Sequence, residues 1–578
     1  MPIAGIGMGK IHLIDCIVDV KNTFKTEWIY ANKSGWEIWL RAKACYQNNF
    51  ITAEALKDIL LKKIANCNLP DMRSVINDFV LKLNGSFAVI VRSRSFLFIA
   101  VDSMRSIPLF YGRMAEKFLV SDDAGRILSH YGIATPNLRS SIEFILSGYV
   151  SGNNTLFSGI KQLQAGETLS FNPANDDICC HIMEKNTGQS FATHSKHIDC
   201  AKQLEDVLMR VFSRLVDSAE GRPIVVPLSD GYDSRLIVTM LSRLKVKNVI
   251  CFTYAKPGAT ILKVAEHIAR KADYPWLFVP YTKRRWQMCL NDDNTREFIK
   301  KAHNLHTLPN LQDFPAVKHL CDKGLISPDA IFIPGHTPMM YLKGQPDEAS
   351  RSGVVNSILQ KHYTRWDWSF KKKTLMPFLQ DKIIEILPNG PSFNSLEEAV
   401  LAFEAWELRE RQAKFIVNAV RTYEFFGYEW RLPLWDKELV RFWLSLPLSV
   451  RGGKLPIKNL LENKNIEKSF PAKKRSQKRE YLRNIKSFLA AYPVLFYIVN
   501  KFDIRPSQLL SYWTNPLAFY GVTSFWEFIT SYHYNINAHS FLIRKLYAEE
   551  YNREFARALT SYFTRSIPPL EEKANEGE

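Results

Sequence analysis

The sequence predicts an α+β domain of stacked sheets, followed by an α/β domain with a doubly wound parallel sheet and a helical C-terminal region. Three observations support this order. Short β-branched and aromatic runs follow one another closely in the first third of the chain. Apolar runs of buried-strand type then alternate with helical patterns of about ten residues, and from Glu397 onward Trp, Phe and Tyr recur at helical spacing. The predicted domains are residues 1–190, 196–480 and 481–578.

The first domain shows strand patterns separated by turn residues. The runs Phe87–Val91, Phe96–Ala100 and Lys117–Val120 have the composition of strands in stacked antiparallel sheets. Ala53–Ala65 carries apolar residues three to four positions apart, which predicts a helix. A polar stretch over residues 184–195 predicts a linker, because the periodicity changes after it.

The second domain alternates strands with helices, which is typical of βαβ units and of a parallel sheet covered by helices on both faces. The predicted elements are, in order, a helix at Ile198–Ala219, a strand at Pro223–Leu228, a helix at Ser234–Leu244, a strand at Val249–Thr253, a helix at Leu262–Ala272, and strands at Trp276–Pro280 and Ala330–Ile333. The aromatic stripes after Glu397 are interpreted as core rather than as a binding surface.

The composition excludes several classes of protein. With 46% hydrophobic and 23% charged residues in 578, the chain is not mainly disordered, collagen-like or a coiled coil. Its nine cysteines form no C-x-x-C pair, so zinc sites are not indicated and reduced thiols are expected. The N-terminus lacks a secretory pattern, and the apolar stretch Phe488–Val499 is shorter than the ~20 residues that span a bilayer. We expect a soluble cytoplasmic protein without a membrane span.

Half of the net charge of +18 is concentrated in one segment. Residues 451–486 contain twelve Lys or Arg and three acidic residues, a net charge of +9. Three interpretations are open: a solvated helical face or loop, a cationic wall beside a nucleotide triphosphate, and a nucleic-acid contact. Nucleic acid ranks last, because Lys473–Arg479 has no interleaved aromatic residue on which a base would stack.

The most informative segment joins the first predicted strand of the α/β domain to the helix that follows. Its loop consists of Leu228, Ser229, Asp230, Gly231, Tyr232, Asp233 and Ser234. Such a loop directs unpaired N–H groups and the helix dipole at one point, where a phosphate binds well. Gly231 permits close backbone approach, and Asp233 is a candidate Mg²⁺ ligand. An ordinary strand-to-helix turn with a polar N-cap explains the same residues equally well.

This loop resembles the S-G-G-x-D-S pyrophosphate loop of ATP pyrophosphatases, in particular that of asparagine synthetase-related proteins. The resemblance extends to Phe252-Thr-Tyr254 and to Arg431-Leu-Pro-Leu-Trp-Asp436, which is similar to the family's R-x-P-x-x-D. Leu83-Asn-Gly-Ser-Phe-Ala88 and Ile107-Pro-Leu-Phe-Tyr111 resemble the family's amino-terminal glutaminase-type domain. The similarity covers roughly residues 80–480, with the motifs in the family's order.

The resemblance implies an N-terminal-nucleophile-type, glutaminase-like domain and an adenine nucleotide alpha-hydrolase-like ligase domain. ATP and a substrate carboxylate would give an acyl-adenylate and pyrophosphate, and ammonia or an amine would then displace AMP. Mg²⁺ and cationic side chains would offset the charge that builds on pyrophosphate. The implied partners are therefore ATP, Mg²⁺, a small-molecule or sugar carboxylate, and an ammonia or amine donor.

The resemblance also implies roles for individual residues. Thr253, Gly335 and His336 join the loop as candidates for nucleotide binding. Lys473 and Lys474 lie where such enzymes keep a lysine-bearing loop, so they are candidates for stabilising pyrophosphate. Glu424 is a candidate acid/base for activating an amine.

The N-terminal domain departs from the family's pattern. The family's glutaminase nucleophile is a cysteine directly after the initiator Met, whereas Pro2 stands there in this sequence and the first cysteine is Cys16. A counterpart of the family's N-G-E-I-Y-N segment is also missing. Glutamine hydrolysis is therefore not expected, and free ammonia or a substrate amine would supply the nitrogen.

The nucleotide-binding segments depart from the pattern as well. Asp230 replaces the first Gly of the loop, and a carboxylate facing a triphosphate repels it unless a metal ion lies between them. Asp230 is therefore either a second Mg²⁺ ligand or a sign of a changed site. After Gly335 the family has acidic residues, whereas this chain has Met339 and Met340, whose thioethers are poor ligands for Mg²⁺.

Several other residues keep two interpretations. His336 stands at a strand end where ligands of parallel sheets collect, although a single histidine there is commonly structural. Arg421 and Arg431 either bind an anionic substrate group or form structural ion pairs. Asp436 is interpreted as structural.

Three possible functions are ranked. The first is a ligase without glutaminase activity that acts on a carboxylate other than aspartate. Its motifs resemble those of relatives associated with bacterial surface polysaccharides. This resemblance implies a uronic acid as the substrate carboxylate. The second is a catalytically degenerate relative that binds a nucleotide or a partner protein, and a nucleic-acid-modifying pyrophosphatase ranks third. The oligomeric state is left open, a homo-oligomer included.

Overall fold

The structure is a computed structural model. It describes residues 14–21, 27–132, 135–183, 197–339, 345–364, 372–387 and 392–451, and a few positions between 456 and 525. No helix in this part of the chain has the length and apolar character needed to cross a membrane. The predicted linker and most of the predicted third domain lie outside the described residues, so the domain boundaries stay predictions.

The strands of the described residues build three sheets. In chain order they are β1 (Asp15–Val18), β2 (Ile29–Lys33), β3 (Trp36–Tyr46), β4 (Asn49–Ile51), β5 (Leu83–Ser93), β6 (Phe96–Val101), β7 (Phe110–Met114), β8 (Lys117–Ser121), β9 (Ile160–Gln162), β10 (Glu167–Asn172), β11 (Asp177–Ile182), β12 (Ile224–Pro227), β13 (Val249–Ala255), β14 (Trp276–Pro280), β15 (Ile331–Phe332) and β16 (Glu429–Trp430). β1–β11 form a seven-stranded and a four-stranded sheet, and β12–β16 form the third.

The helices of the described residues surround these sheets. They are α1 (Ala53–Ala65), α2 (Met72–Leu81), α3 (Ala124–His130), α4 (Leu138–Ser147), α5 (His197–Ala219), α6 (Tyr232–Arg243), α7 (Thr260–Lys271), α8 (Lys283–Leu290), α9 (Asp293–His303), α10 (Phe314–Asp322), α11 (Arg351–His362), α12 (Lys372–Ile384), α13 (Leu396–Trp406), α14 (Arg421–Phe425), α15 (Lys437–Ser445) and α16 (Leu448–Arg451). α13 continues as a π-helix over Glu407–Ile416. The helix predicted at Ala53–Ala65 and the strand predicted at Trp276–Pro280 are confirmed residue for residue.

The seven-stranded sheet is antiparallel and separates two cores. Successive side chains of a strand point to opposite faces of the sheet. In β5, Val89 and Val91 pack with α1 and α2, whereas Ala88 and Ile90 pack against the four-stranded sheet. The prediction of stacked sheets is therefore confirmed.

The four-stranded sheet has the order β1-β8-β7-β9 and is mixed. β1 runs parallel to β8, with Cys16 opposite Phe118. The prediction of antiparallel sheets is wrong for this pair. Parallel neighbours require a long crossover, and the chain between these strands includes β2–β6 of the other sheet, a connection that local patterns do not reveal.

The third sheet is parallel throughout, in the order β14-β13-β12-β15-β16, as the βαβ pattern predicts. Val226 of β12 faces a core formed with α5, α6 and α7, and Val225 faces a core formed with α8, α9 and α10. The strand Glu429–Trp430 corrects the prediction of a purely helical region after Glu397. Two residues are too short a stretch for a period to show.

Buried charged residues join the segment that contains α4 to the helices that follow the parallel sheet. The fully buried Lys414 ammonium, on the π-helix, contacts Glu410 and donates to the carbonyl of Gly152 at 2.6 Å. Lys382 Nζ lies 3.0 Å from Glu143 Oε2, and both side chains are buried. Burial lowers the pKa of Lys414 to about 8, against the attraction of Glu410. We call these pairs the ionic junction.

Two buried histidines belong to the same junction. His306 Nε2 lies 3.1 Å from Arg105 Nη1, and the ring of His303 packs edge-on against Phe144. Burial lowers the pKa of His303 to about 3, and burial together with Arg105 lowers the pKa of His306 well below its ordinary value. Both imidazoles are therefore neutral at neutral pH.

Candidate functional site

The predicted loop lies where the strand order of the parallel sheet reverses. β12 is the central strand, with β13 and β14 on one side and β15 and β16 on the other. Ligands of open α/β sheets bind beyond the carboxyl ends of the strands at such a point. The loop that follows β12 and the turn with Gly335 and His336 that follows β15 meet at this edge, which we call the carboxyl edge.

Hydrogen bonds within the loop fix its shape. The N–H of Ser229 donates to Ser234 Oγ at 3.1 Å, and the N–H of Gly231 donates to Ser229 Oγ at 3.1 Å. Gly231 is the N-cap of α6 and offers no side chain to its first turn. The positive end of the α6 dipole therefore lies at the carboxyl edge, a position suited to an anion.

Gly335 brings the turn after β15 into contact with the loop. A Cβ at this position would lie 3.1 Å from the backbone nitrogen of Ser234 and 3.4 Å from Asp233 Cβ. A larger residue would force the backbone of one segment to move. The two segments predicted to bind nucleotide are thus adjacent.

Thr253 supports the loop from the neighbouring strand. Its hydroxyl donates to the carbonyl of Leu228 at 2.8 Å and accepts from Trp276 Nε1 at 2.9 Å. These bonds explain why a hydroxyl residue stands at this position of β13, two residues before the strand ends at Ala255. A direct contact between Thr253 and a nucleotide stays a prediction.

The two predicted Mg²⁺ ligands lie at the start of α6. Asp230 is exposed and Asp233 is half-buried. Arg235 donates to the carbonyl of Asp230 at 2.8 Å, and this bond fixes the backbone between Asp230 and Arg235. The described residues contain no group of three or more His, Cys, Asp or Glu arranged for a metal ion. Because Mg²⁺ is commonly held by one or two carboxylates together with phosphates and waters, this pair suits Mg²⁺ that arrives with a nucleotide.

Met339 lies in the core and not at the carboxyl edge. Its side chain is fully buried on the α6 face of the sheet, and its N–H donates to Thr337 Oγ1 at 3.0 Å. The chain therefore turns inward after Thr337, and a thioether is well suited to that apolar position. Met340 lies outside the described residues.

A buried carboxylate next to this edge was not predicted from the sequence. Asp313 accepts from the Tyr254 hydroxyl at 2.5 Å and from the Tyr423 hydroxyl at 2.6 Å. Burial and then Asp313 raise the pKa of both tyrosines well above the ordinary value, so both are neutral donors. The three residues come from segments that are distant in the chain and share no motif, so the sequence carried no signal for them.

The charge of Asp313 also acts on His336. Burial lowers the pKa of His336, and Asp313 opposes that shift. Its Nδ1 is buried and has no hydrogen-bond partner among the described residues. A buried polar atom without a partner is costly, and the role of His336 in nucleotide binding stays a prediction.

Glu424 belongs to a buried ionic cluster. It accepts from Arg421, from Arg41 at 3.2 Å and from Trp430 Nε1 at 2.9 Å. Arg421 also donates to the carbonyl of Ser106. The cluster connects α14 to β3, which favours the structural interpretation of Arg421. The carboxylate of Glu424 is engaged with donors from the protein. The acid/base role of Glu424 stays a prediction.

Two further residues of the helical segment are also paired. Arg431 lies 3.0 Å from Glu429 Oε2, and Asp436 accepts from Arg214 at 2.9 Å and from Asn84 at 3.0 Å. These contacts agree with the structural interpretation of Asp436. Arg431 forms an ion pair, as one of its two interpretations predicted. Lys473 and Lys474 lie outside the described residues.

Cys16, the first cysteine of the sequence, lies buried in β1. Burial raises the pKa of its thiol to about 12, although Arg92 opposes that shift. A thiol with this pKa is protonated at neutral pH and is a poor nucleophile.

Comparisons with known proteins identify the N-terminal part of the chain. Residues 72–180 match the family model described as the glutamine amidotransferase domain. Together with the stacked sheets, this match shows a class II glutamine amidotransferase-like N-terminal domain, as the motifs around β5 and β7 predicted. No curated protein matches the sequence.

Two solved structures are similar to the chain at low identity. One is described as the allosteric regulatory enzyme of purine biosynthesis (13% identity, 44% of this chain, 63% of that chain, TM-score 0.20). The other is the glutamine phosphoribosylpyrophosphate amidotransferase from B. subtilis, complexed with ADP and GMP (12% identity, 54% of this chain, 64% of that chain, TM-score 0.19). This chain spans less than two thirds of either structure.

Proposed function

We propose that this protein is an ATP-dependent amide-forming ligase with an amidotransferase-like N-terminal domain that does not hydrolyse glutamine. The observation that carries the proposal is the contact between Gly335 and the start of α6 at the point where the strand order reverses. That contact gives the carboxyl edge two backbone walls and a helix N-terminus, an arrangement suited to a triphosphate.

The proposed reaction has two steps. A carboxylate oxygen of the substrate attacks the α-phosphorus of ATP, and the bond to pyrophosphate breaks. The nitrogen of ammonia or an amine then attacks the acyl carbon, AMP leaves with the bonding electron pair, and the nitrogen loses a proton. The first step converts the carboxylate oxygen, a poor leaving group, into part of AMP, a good leaving group, and the second step uses that activation; this is why ATP is required.

The residues of the carboxyl edge have separate roles in this proposal. The N–H groups at the start of α6 and the hydroxyls of Ser229 and Ser234 bind phosphate oxygens. Asp233 and the exposed Asp230 hold Mg²⁺, which neutralises charge on the phosphates. Lys473 and Lys474 are proposed to add positive charge near pyrophosphate.

The nitrogen source is proposed to be free ammonia or a substrate amine. A glutaminase of the resembled type needs a reactive thiol, and the buried Cys16 thiol, with its pKa of about 12, does not provide one. The carboxylate substrate is proposed to be a sugar acid such as a uronic acid, which rests on the resemblance of the motifs alone.

The test is the exchange of labelled pyrophosphate into ATP, measured with Mg²⁺ and a panel of uronic and amino acids. We expect exchange with one class of carboxylate and at least a hundredfold loss, about 2.7 kcal/mol, in Asp233→Ala. Asp293→Ala is the matched control, because the Asp293 side chain is 96% exposed on α9. Exchange that survives in Asp233→Ala would contradict the proposed site.

A second function is a nucleotide-binding relative without catalysis. It is favoured by the position of Met339, which leaves the turn after β15 without the acidic residues of the resembled family. In this case ATP binds with Mg²⁺ and Asp233→Ala weakens binding, but no carboxylate supports exchange.

A further inference from the structure

A second cleft lies between α8 and α10, beyond the carboxyl end of β14. Pro280, the last residue of β14, and Thr282, the N-cap of α8, line one side of it. Its volume is about 440 Å³, which is within the range of small-molecule sites. The cleft is separate from the loop after β12, because one strand, β13, lies between β14 and β12 in the sheet.

The charges that line this cleft do not balance. Both acidic residues, Asp292 and Asp322, are bridged by one lysine, since Lys318 Nζ lies 3.2 Å from Asp292 and 3.0 Å from Asp322. The remaining charged residues that line the cleft are cations: Arg284, Arg285 and Lys323. The cleft therefore carries an excess of positive charge.

Arg285 is the most important contributor to this excess of positive charge. Its side chain is half-buried, and no carboxylate among the described residues pairs with it. Burial lowers its pKa, which shows that the charged guanidinium is partly desolvated. A partly buried cation without a counterion is costly, and an anionic ligand would remove that cost.

Two neighbours indicate the kind of ligand. Burial lowers the pKa of His319, and Arg285 and Lys323 lower it further, so the imidazole lies in a positive field. Met288, at the rim, is 65% exposed and offers an apolar surface beside the cations. A ligand that combines a phosphate with a ring would use both features.

We infer that this cleft binds a phosphate monoester, with its phosphate on Arg285 and Lys323 and its organic part against Met288. The planar guanidinium suits two phosphate oxygens at once, and Lys323 adds a point charge. The inference does not rest on the proposed ligase activity, because none of these residues belongs to the carboxyl edge.

The experiment is equilibrium dialysis of the full chain with radiolabelled glucose 1-phosphate at low ionic strength, with inorganic phosphate as competitor. We expect saturable binding at up to millimolar concentrations and at least a tenfold weaker affinity in Arg285→Gln. Lys323→Gln is expected to weaken binding by a smaller factor. Circular dichroism of each variant checks that it folds.

Two control variants separate this site from others. Arg270→Gln removes a cation from α7 whose side chain is 72% exposed, and it should leave binding unchanged. Asp233→Asn alters the carboxyl edge and should also leave binding unchanged. The inference is overturned if the wild type shows no saturable binding, if Arg285→Gln binds like the wild type, or if Asp233→Asn abolishes binding.

Discussion

The carboxyl edge and the ionic junction use charged residues in opposite ways. At the junction, Lys414 and Glu410 are fully buried, and each meets a partner of opposite charge inside the protein. At the carboxyl edge, Asp230 is exposed and Asp233 is half-buried in the first turn of α6. Charged groups that are buried in pairs have already lost their water and are arranged for folding, whereas the groups at the carboxyl edge keep contact with solvent.

This difference guides the assignment of roles in the resembled motifs. Arg421 and Glu424 lie shortly before the motif Arg431–Asp436 that resembles the family, yet both side chains are buried and engaged with protein groups. His336 lies in a segment that departs from the resembled family, yet its Nδ1 has no partner among the described residues. Burial and pairing therefore separate residues that are engaged within the protein from residues that stay candidates for binding.

The largest expected effect is at the junction, in Lys414→Met. The substitution leaves the buried Glu410 carboxylate without its cation, so we expect the free energy of unfolding to fall by about 3–5 kcal/mol. Urea denaturation measures this change in the free energy of unfolding. Adding Glu410→Gln should recover part of the loss, because the uncompensated charge is gone. Lys301→Met, which removes a partly exposed pair with Glu297 on α9, should cost under about 0.5 kcal/mol.

The second effect is on the pH dependence of stability. His303 is neutral in the folded protein because its pKa is about 3, whereas the unfolded chain binds a proton below its ordinary value of 6.5. Its contribution is therefore present above pH 6.5 and is lost as the pH falls toward 3. In His303→Asn the slope of unfolding free energy between about pH 4 and 6 should decrease by about 1.4 kcal/mol per pH unit. An unchanged slope, with His130→Asn as the surface control, would show that this histidine is protonated in the folded state.

Gly335→Ala, at the carboxyl edge, is expected to change stability less than the substitutions above and to weaken ATP binding strongly. The added Cβ presses on Ser234 and Asp233, so ATP affinity should fall about tenfold while the free energy of unfolding falls by about 1 kcal/mol. Calorimetric titration with Mg²⁺ and ATP measures the first quantity. Gly125→Ala is the control, since its nearest contact is a side-chain oxygen. Normal ATP binding in Gly335→Ala would break the proposed contrast between edge and junction.

The smallest effect on stability is expected in Asp230→Asn. The residue is exposed, so the free energy of unfolding should change by less than about 0.5 kcal/mol. If Asp230 is the second Mg²⁺ ligand, the Mg²⁺ concentration that supports half-maximal ATP binding should rise several-fold. An unchanged Mg²⁺ requirement would leave Asp233 as the single carboxylate ligand of the proposed site.

Local patterns were sufficient to predict most of the elements that build the carboxyl edge. β12, β13, β14 and α6 all lie within a few residues of their predicted positions, because hydrophobic period and strand length are properties of neighbouring residues. The same holds for the loop, whose small polar residues mark a strand that turns into a helix. Their parallel arrangement followed from the alternation alone.

The sequence by itself thus determined the α+β and α/β halves and the amidotransferase-like character of the first half. Only the tertiary structure decided that Glu424 pairs with Arg41, 383 residues away, that Asp313 receives two tyrosine hydroxyls, and that Met339 is core. The physical reason is that period and turn chemistry act over a few residues, whereas burial and ion pairing depend on which distant segments meet.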